Sequence, residues 1–180
     1  MLNDMSRILL TREQIAQRVN EIGREMTAMY QNDDRPLFVC VLKGSVVFFA
    51  DLIRAVSIPL DIEFMTASSY GAATVSSGEV KVVSALDEKI KGRNVVLVED
   101  IIDSGRTIAY IKNDMLGKGV KSLRVVTLLD KPSRRVSDVT PDISGFVVPD
   151  EFVVGYGLDY DQKYRNFPDI GILKPEVYGG

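Results

Sequence analysis

Three short apolar runs most restrict what this chain can become. Leu37 to Leu42, Val95 to Val98 and Val125 to Leu129 are too short for buried helices, rich in β-branched residues and closed by polar or turn residues. Each therefore predicts a buried strand. Helical patterns lie between them: Val46 to Val56, with Val46, Val47, Phe49, Ala50 and Ile53 as its apolar positions, and the segment carrying Ile108, Ile111 and Met115, closed by Gly117 and Gly119. Strands alternating with helices predict an α/β fold with a mostly parallel central sheet, right-handed crossovers, and ligands at the carboxyl ends of the strands. Lys43, Glu99, Asp100 and Lys131 all fall at such ends.

The remaining chain fits one domain of 180 residues. Thr11 to Tyr30 predicts a first helix, with capping-box spacing between Thr11 and Gln14 and a stripe of Ile15, Val19, Ile22, Met26 and Met29. Pro59 to Thr66 and Val80 to Leu86 read as strands, with Ala67 to Gly78 between them as a mobile loop and Asp87 to Asn94 as a charged turn. Ile143 to Val148, Phe152 to Tyr156 and Ile170 to Leu173 are strand-like pieces without helices between them, which predicts a small cap on the main sheet.

Composition removes several chemistries. The chain has no histidine, so a histidine base and a histidine-built zinc site are excluded, and acid/base work falls to carboxylates, lysine or tyrosine. A net charge of -3 weighs against nucleic acid as a partner. The single Cys40 rules out an intramolecular disulfide and fits a reducing compartment. The N-terminus lacks a basic region followed by an apolar run, and no stretch reaches membrane-spanning length, so no membrane association and a cytoplasmic location are expected.

The chemistry concentrates after the second apolar run, in Glu99-Asp100-Ile101-Ile102-Asp103-Ser104-Gly105-Arg106-Thr107. Strand, short loop and helix start suit a phosphate: Gly105 allows close backbone approach, free amides point at the ligand, and the Ser104 and Thr107 hydroxyls add hydrogen bonds. Two acids beside an anion site make sense facing ribose hydroxyls or Mg²⁺.

This string resembles the phosphoribosyl pyrophosphate (PRPP) loop of the type I phosphoribosyltransferases, in the form found in the hypoxanthine-guanine enzymes. Leu42-Lys43-Gly44, the Ser69-Tyr70 pair, Lys131, and Pro149 to Tyr160 followed by Arg165 match further motifs of that family in the same order. The resemblance implies transfer of ribose 5-phosphate from PRPP to hypoxanthine or guanine, giving IMP or GMP and releasing pyrophosphate. It implies that Asp103, Ser104, Gly105, Arg106 and Thr107 hold the 5-phosphate, with Arg106 acting mainly through its backbone. Glu99 and Asp100 would bind the ribose and Mg²⁺, Asp159 would anchor a second Mg²⁺, and Lys43, Gly44 and Arg165 would hold the pyrophosphate. Asp103 would be the general base. Lys131, Phe152, Val153 and Asp159 would bind the purine, with the Lys131 ammonium favouring the O6 acceptor over adenine's amino group. The resemblance also implies a cis peptide before Lys43, a hood formed by about 1–10 and 145–180, a lid at about 67–79 carrying Ser69 and Tyr70, and a homodimer or homotetramer. A regulator on the same fold that senses PRPP or nucleotide and binds nucleic acid is the alternative. A dinucleotide oxidoreductase and a P-loop hydrolase lack their glycine fingerprints here.

Overall fold

The computed structural model describes residues 1–32, 35–69, 80–83 and 86–179. Its main sheet has the order β4-β3-β2-β5-β6-β7, formed by Val80–Val83, Asp61–Ser69, Leu37–Leu42, Asn94–Ile102, Ser122–Asp130 and Ile143–Val147 respectively. Five strands run parallel and β4 pairs antiparallel at one edge. From β2 the chain crosses to β3 on one side, while β5, β6 and β7 build outward on the other. The β2/β5 boundary is therefore a topological switch point, where open α/β sheets bind ligands.

Leu37, Phe38, Val39 and Cys40 lie beside Val95, Val96, Leu97 and Val98, and these central residues are fully or almost fully buried. Helices α1 (Arg12–Tyr30) and α2 (Val46–Ala55) supply one apolar layer, while α3 (Asp87–Ile90) and α4 (Arg106–Gly117) cover the opposite face. The capping box of α1 is present: Gln14 N–H donates to Thr11 Oγ1 and Thr11 N–H donates to the Gln14 side chain. Its stripe ends on Tyr30 rather than Met29, which is exposed. Gly23 explains the close approach of the two helices, since a β-carbon there would lie 2.5 Å from that of Ala55.

Several sequence expectations need correction. Helix α2 buries Phe49 as expected, with Val47 and Ile53 packed against the core, but Phe48 and Leu52 are buried too and Val46 is exposed, because a helix apolar on most sides has no unambiguous stripe. The expected turn at 87–94 begins with α3, and the strand before it is described only as far as Val83. Strand β5 continues through Glu99 and Asp100 to Ile102, and β3 runs to Ser69, past the expected start of the loop. Ile143–Val147 is no part of a cap: it pairs parallel with β6. Asp142 sets this register, accepting from Val125 N–H at 2.8 Å while pairing with Arg124.

A second sheet, entirely antiparallel, joins β1 (Met5–Leu10), β9 (Ile170–Leu173) and β8 (Val153–Val154) in that order. Met5, Val154, Tyr164, Phe167 and Leu173 form its own apolar cluster. No helix among the described residues is long and apolar enough to cross a membrane.

Candidate active site

Strand β5 delivers Glu99 and Asp100 to the switch point, and the chain then turns through Asp103 and Ser104 into α4. Gly105 makes that turn with φ at +80°, a left-handed conformation costly for other residues. Ser104 Oγ accepts from Arg106 N–H at 3.4 Å, a long capping contact at the helix start. The resulting cavity, about 440 Å³, is lined by the loop from Asp103 to Gly105 with Thr107, by Glu99 and Asp100, by Lys43 and Gly44, and by Asp159 and Arg165. Three sequence-distant segments, 43–44, 99–107 and 159–165, thus meet at the carboxyl ends of β2 and β5. Arg106 is exposed and its side chain does not line this cavity.

Tight backbone contacts nest the segments together. The Leu42-Lys43 peptide is cis. A β-carbon on Gly44 would lie 1.6 Å from Asp100 Oδ2, and one on Gly157 would lie 2.1 Å from the Gly44 carbonyl. Arg165 donates to the Gly157 carbonyl at 2.8 Å and pairs with Asp159, also at 2.8 Å. Asp159 further accepts from Gln162 N–H at 2.9 Å, so the carboxylate expected to anchor a metal is engaged within its own loop.

The acids are electrostatically unusual. Glu99 Oε2 is buried without a hydrogen-bond partner, and burial, reinforced by the negative Asp100, holds the Glu99 carboxyl well above its ordinary range. Burial also raises Asp100, against the opposing pull of Glu99, the Ile101 amide and Arg165. Such a pair favours a bound cation or ribose hydroxyls. Among the described residues, no three acidic, cysteine or histidine side chains converge as a ready-made metal cluster. The orphaned Glu99 oxygen and the oxygen-only donor set nevertheless suit a hard cation such as Mg²⁺. Asp103 Oδ1 is likewise buried without a hydrogen bond, 3.6 Å from Arg134 Nε.

Of the expected base-side residues, Asp159 lines this cavity, whereas Lys131 and Phe152 lie apart from it. Lys131 and Phe152 line a neighbouring one of about 300 Å³. Lys131 is 5% exposed and donates from Nζ to the Glu151 carbonyl at 2.9 Å, which excludes a solvated loop lysine. Phe152 keeps 37% exposure, although Tyr178 stacks on it with ring centres 4.8 Å apart. Val153 is buried in β8. Ser69 ends β3, while Tyr70 lies outside the described residues.

Sequence reading missed Arg134, Arg135 and Tyr178. Arg134 lies between Asp103 and Asp150, and Arg135 packs, mostly covered, against Asp130 and the phosphate loop. Their only sequence signal was a pair of arginines after a strand end, indistinguishable from surface charge.

Fold and site together define an enzyme class that handles a phosphorylated sugar at an acid-flanked anion loop. The chain belongs to the phosphoribosyltransferase family, whose domain model, described as "Phosphoribosyl transferase domain", matches residues 7–161. Within that family it is similar to hypoxanthine-guanine phosphoribosyltransferases. The Bacillus subtilis enzyme of that name is 51% identical over 99% of this chain and 98% of its own length. That of Streptococcus thermophilus is 46% identical over 97% of both. A crystal structure of a hypoxanthine phosphoribosyltransferase from Staphylococcus aureus superposes with a TM-score of 0.93 at 45% identity, covering 100% of this chain and 97% of the other. Nothing in these relationships supports the nucleic-acid-binding regulator.

Proposed function

We propose that this chain is a purine salvage enzyme that moves the 5-phosphoribosyl group from PRPP to hypoxanthine or guanine, yielding IMP or GMP and pyrophosphate. The observation that carries this reading is the meeting of the Asp103–Thr107 loop, the Glu99–Asp100 acids and the Lys43 and Arg165 cations around one cavity at the switch point. The loop amides, with Ser104 and Thr107, receive the 5-phosphate. Glu99 and Asp100 hold the ribose hydroxyls and Mg²⁺, and Asp159 holds a second ion. When bound, Mg²⁺ neutralises charge that develops on the leaving pyrophosphate.

Lys43, the Gly44 backbone and Arg165 collect that same negative charge from the protein side. Asp103 accepts the purine proton, a role supported by its buried oxygen, which makes no hydrogen bond. The small sheet of β1, β8 and β9 acts as the hood, presenting Phe152 for stacking and the Val153 and Asp159 backbone to the purine edge. Lys131 donates to O6. Exposed Ile62 and Phe64 on β3 are compatible with association into a dimer or tetramer, and a cytoplasmic location fits the free, buried Cys40.

The decisive experiment supplies PRPP and Mg²⁺ with each purine in turn and scores nucleotide formation. Turnover is expected with hypoxanthine and guanine and very little with adenine. Absence of turnover with either 6-oxopurine would overturn the assignment.

A further inference from the structure

Three successive carbonyls of the phosphate loop are held from behind. The Ile102 carbonyl accepts from Lys131 N–H at 3.0 Å and Arg135 Nη2 at 3.4 Å. The Asp103 carbonyl accepts from Arg135 Nε at 3.1 Å, and the Ser104 carbonyl accepts from Val136 and Ser137 N–H at 3.0 and 3.3 Å. In a trans peptide the C=O and the following N–H point in opposite directions. Fixing these carbonyls toward the 135–137 segment therefore turns the amides of Asp103, Ser104 and Gly105 the other way, and all three residues line the cavity.

Arg135 anchors the arrangement. Its guanidinium also pairs with Asp130, at the end of β6, and donates to the Val139 carbonyl. The side chains of Arg135 and Asp130 are only 14% and 13% exposed. The stem of Arg135 packs under the loop: a β-carbon on Gly105 would lie 2.6 Å from Arg135 Cδ and from Val139 Cγ1. A planar fork serving several acceptors is a task for which lysine is a poor substitute.

We propose that Arg135 is a positioning residue for the 5-phosphate site, keeping the loop amides aimed into the cavity before ligand arrives. The inference rests on the assignment of the Asp103–Thr107 loop to the 5-phosphate. Because Asp130 immediately precedes Lys131, the same side chain ties the phosphate loop to the strand end that carries the purine-selecting residue.

The test compares two probes by calorimetry: IMP, which carries a 5-phosphate, and Mg²⁺-pyrophosphate, which does not. Arg135→Lys keeps the charge but loses the fork. It should weaken IMP by about ten- to hundredfold while leaving pyrophosphate within about twofold. General structural damage would weaken both; equal losses, or none, would overturn the proposal. If Arg135→Lys does not fold, Asp130→Asn, which removes the far anchor of the guanidinium, is held to the same criteria. The Ser104→Ala/Thr107→Val double variant checks the underlying reading. Unchanged IMP affinity there would refute the phosphate assignment, whereas a loss there with intact IMP binding in Arg135→Lys would refute the positioning role alone.

Discussion

Arg165 and Asp159 hold one another at 2.8 Å, although their assigned partners carry opposite charges, pyrophosphate for the arginine and Mg²⁺ for the carboxylate. Their ion pair compensates both charges. On the proposed assignments, substrate would exchange this one internal contact for two external ones. Each side chain is about a quarter exposed, so the pair itself contributes no more than about 1 kcal/mol to folding. Arg165→Gln, which also loses the hydrogen bond to the Gly157 carbonyl, should lower the melting temperature by only a few degrees while raising the KM for pyrophosphate in the reverse reaction roughly tenfold or more. Reverse-reaction kinetics with IMP and pyrophosphate check this; an unaltered KM would remove Arg165 from the pyrophosphate site.

Gly44 makes a sharper case. A methyl group added there would lie 1.6 Å from Asp100 Oδ2 and 2.7 Å from its Cγ, so the carboxylate must move. A terminal carboxylate can swing aside cheaply for the fold, but not for the ribose it is assigned to hold. Gly44→Ala is expected to retain near-native stability and lose about 10²-fold in kcat/KM for PRPP, the scale of an ångström-level misplacement. Steady-state kinetics beside a thermal melt separate the two effects.

Glu99 carries a stability penalty with a defined pH signature. Its folded-state pKa lies above the unfolded value because burial and Asp100 disfavour the anion. The native state therefore holds a proton that the unfolded chain has released, and stability must fall as pH rises from the ordinary carboxylate range through the folded-state pKa. Glu99→Gln should flatten this decline, since its amide hydrogens can donate to Asp100 without ionising. At neutral pH it should stabilise the ligand-free protein by roughly 1 kcal/mol, or about 2–4 °C, while weakening Mg²⁺-dependent PRPP binding. Melting curves across pH provide the check, and a steeper decline in the variant would contradict the assigned cause.

What the sequence made legible follows from where local chemistry decides the outcome. The Val95–Val98 strand, the Thr11 capping box and the turn into a helix after Gly105 carry their reasons in neighbouring residues and appear where expected, although β5 runs on through Glu99 and Asp100 to Ile102. The membership of Ile143–Val147 in the main sheet depends on Asp142 finding Val125 and Arg124 across the fold, which no local pattern reveals. Helix α2 is apolar around most of its circumference, so packing chose its buried face. Arg135 and Tyr178 were invisible for a related reason: each matters through a tertiary contact, with the phosphate loop and with Phe152 respectively.

Asp103 has an oxygen buried without a hydrogen bond, and its nearest cation, Arg134 Nε at 3.6 Å, is shared with Asp150. On the proposed assignment, this carboxylate would accept a proton from the incoming purine. Asp103→Asn preserves shape and removes the basicity, so kcat should fall about 10²- to 10⁴-fold with only a modest change in the KM for PRPP. Single-turnover measurements distinguish slowed chemistry from slowed product release, and an unchanged chemical rate would end its candidacy as the base.

Lys131 is almost fully buried, and its ammonium is held by the Glu151 carbonyl rather than by a carboxylate. A donor-only group fixed in this way can greet an O6 acceptor but must clash electrostatically with an exocyclic amine. Lys131→Met keeps much of the apolar stem and removes the donor. The kcat/KM for hypoxanthine should then drop roughly 10²-fold or more, while the trace rate with adenine falls far less or rises, collapsing the selectivity ratio. Competition between the two bases, read as IMP against AMP in one reaction, measures that ratio directly. A ratio equal to that of the unmodified enzyme would place the purine away from Lys131.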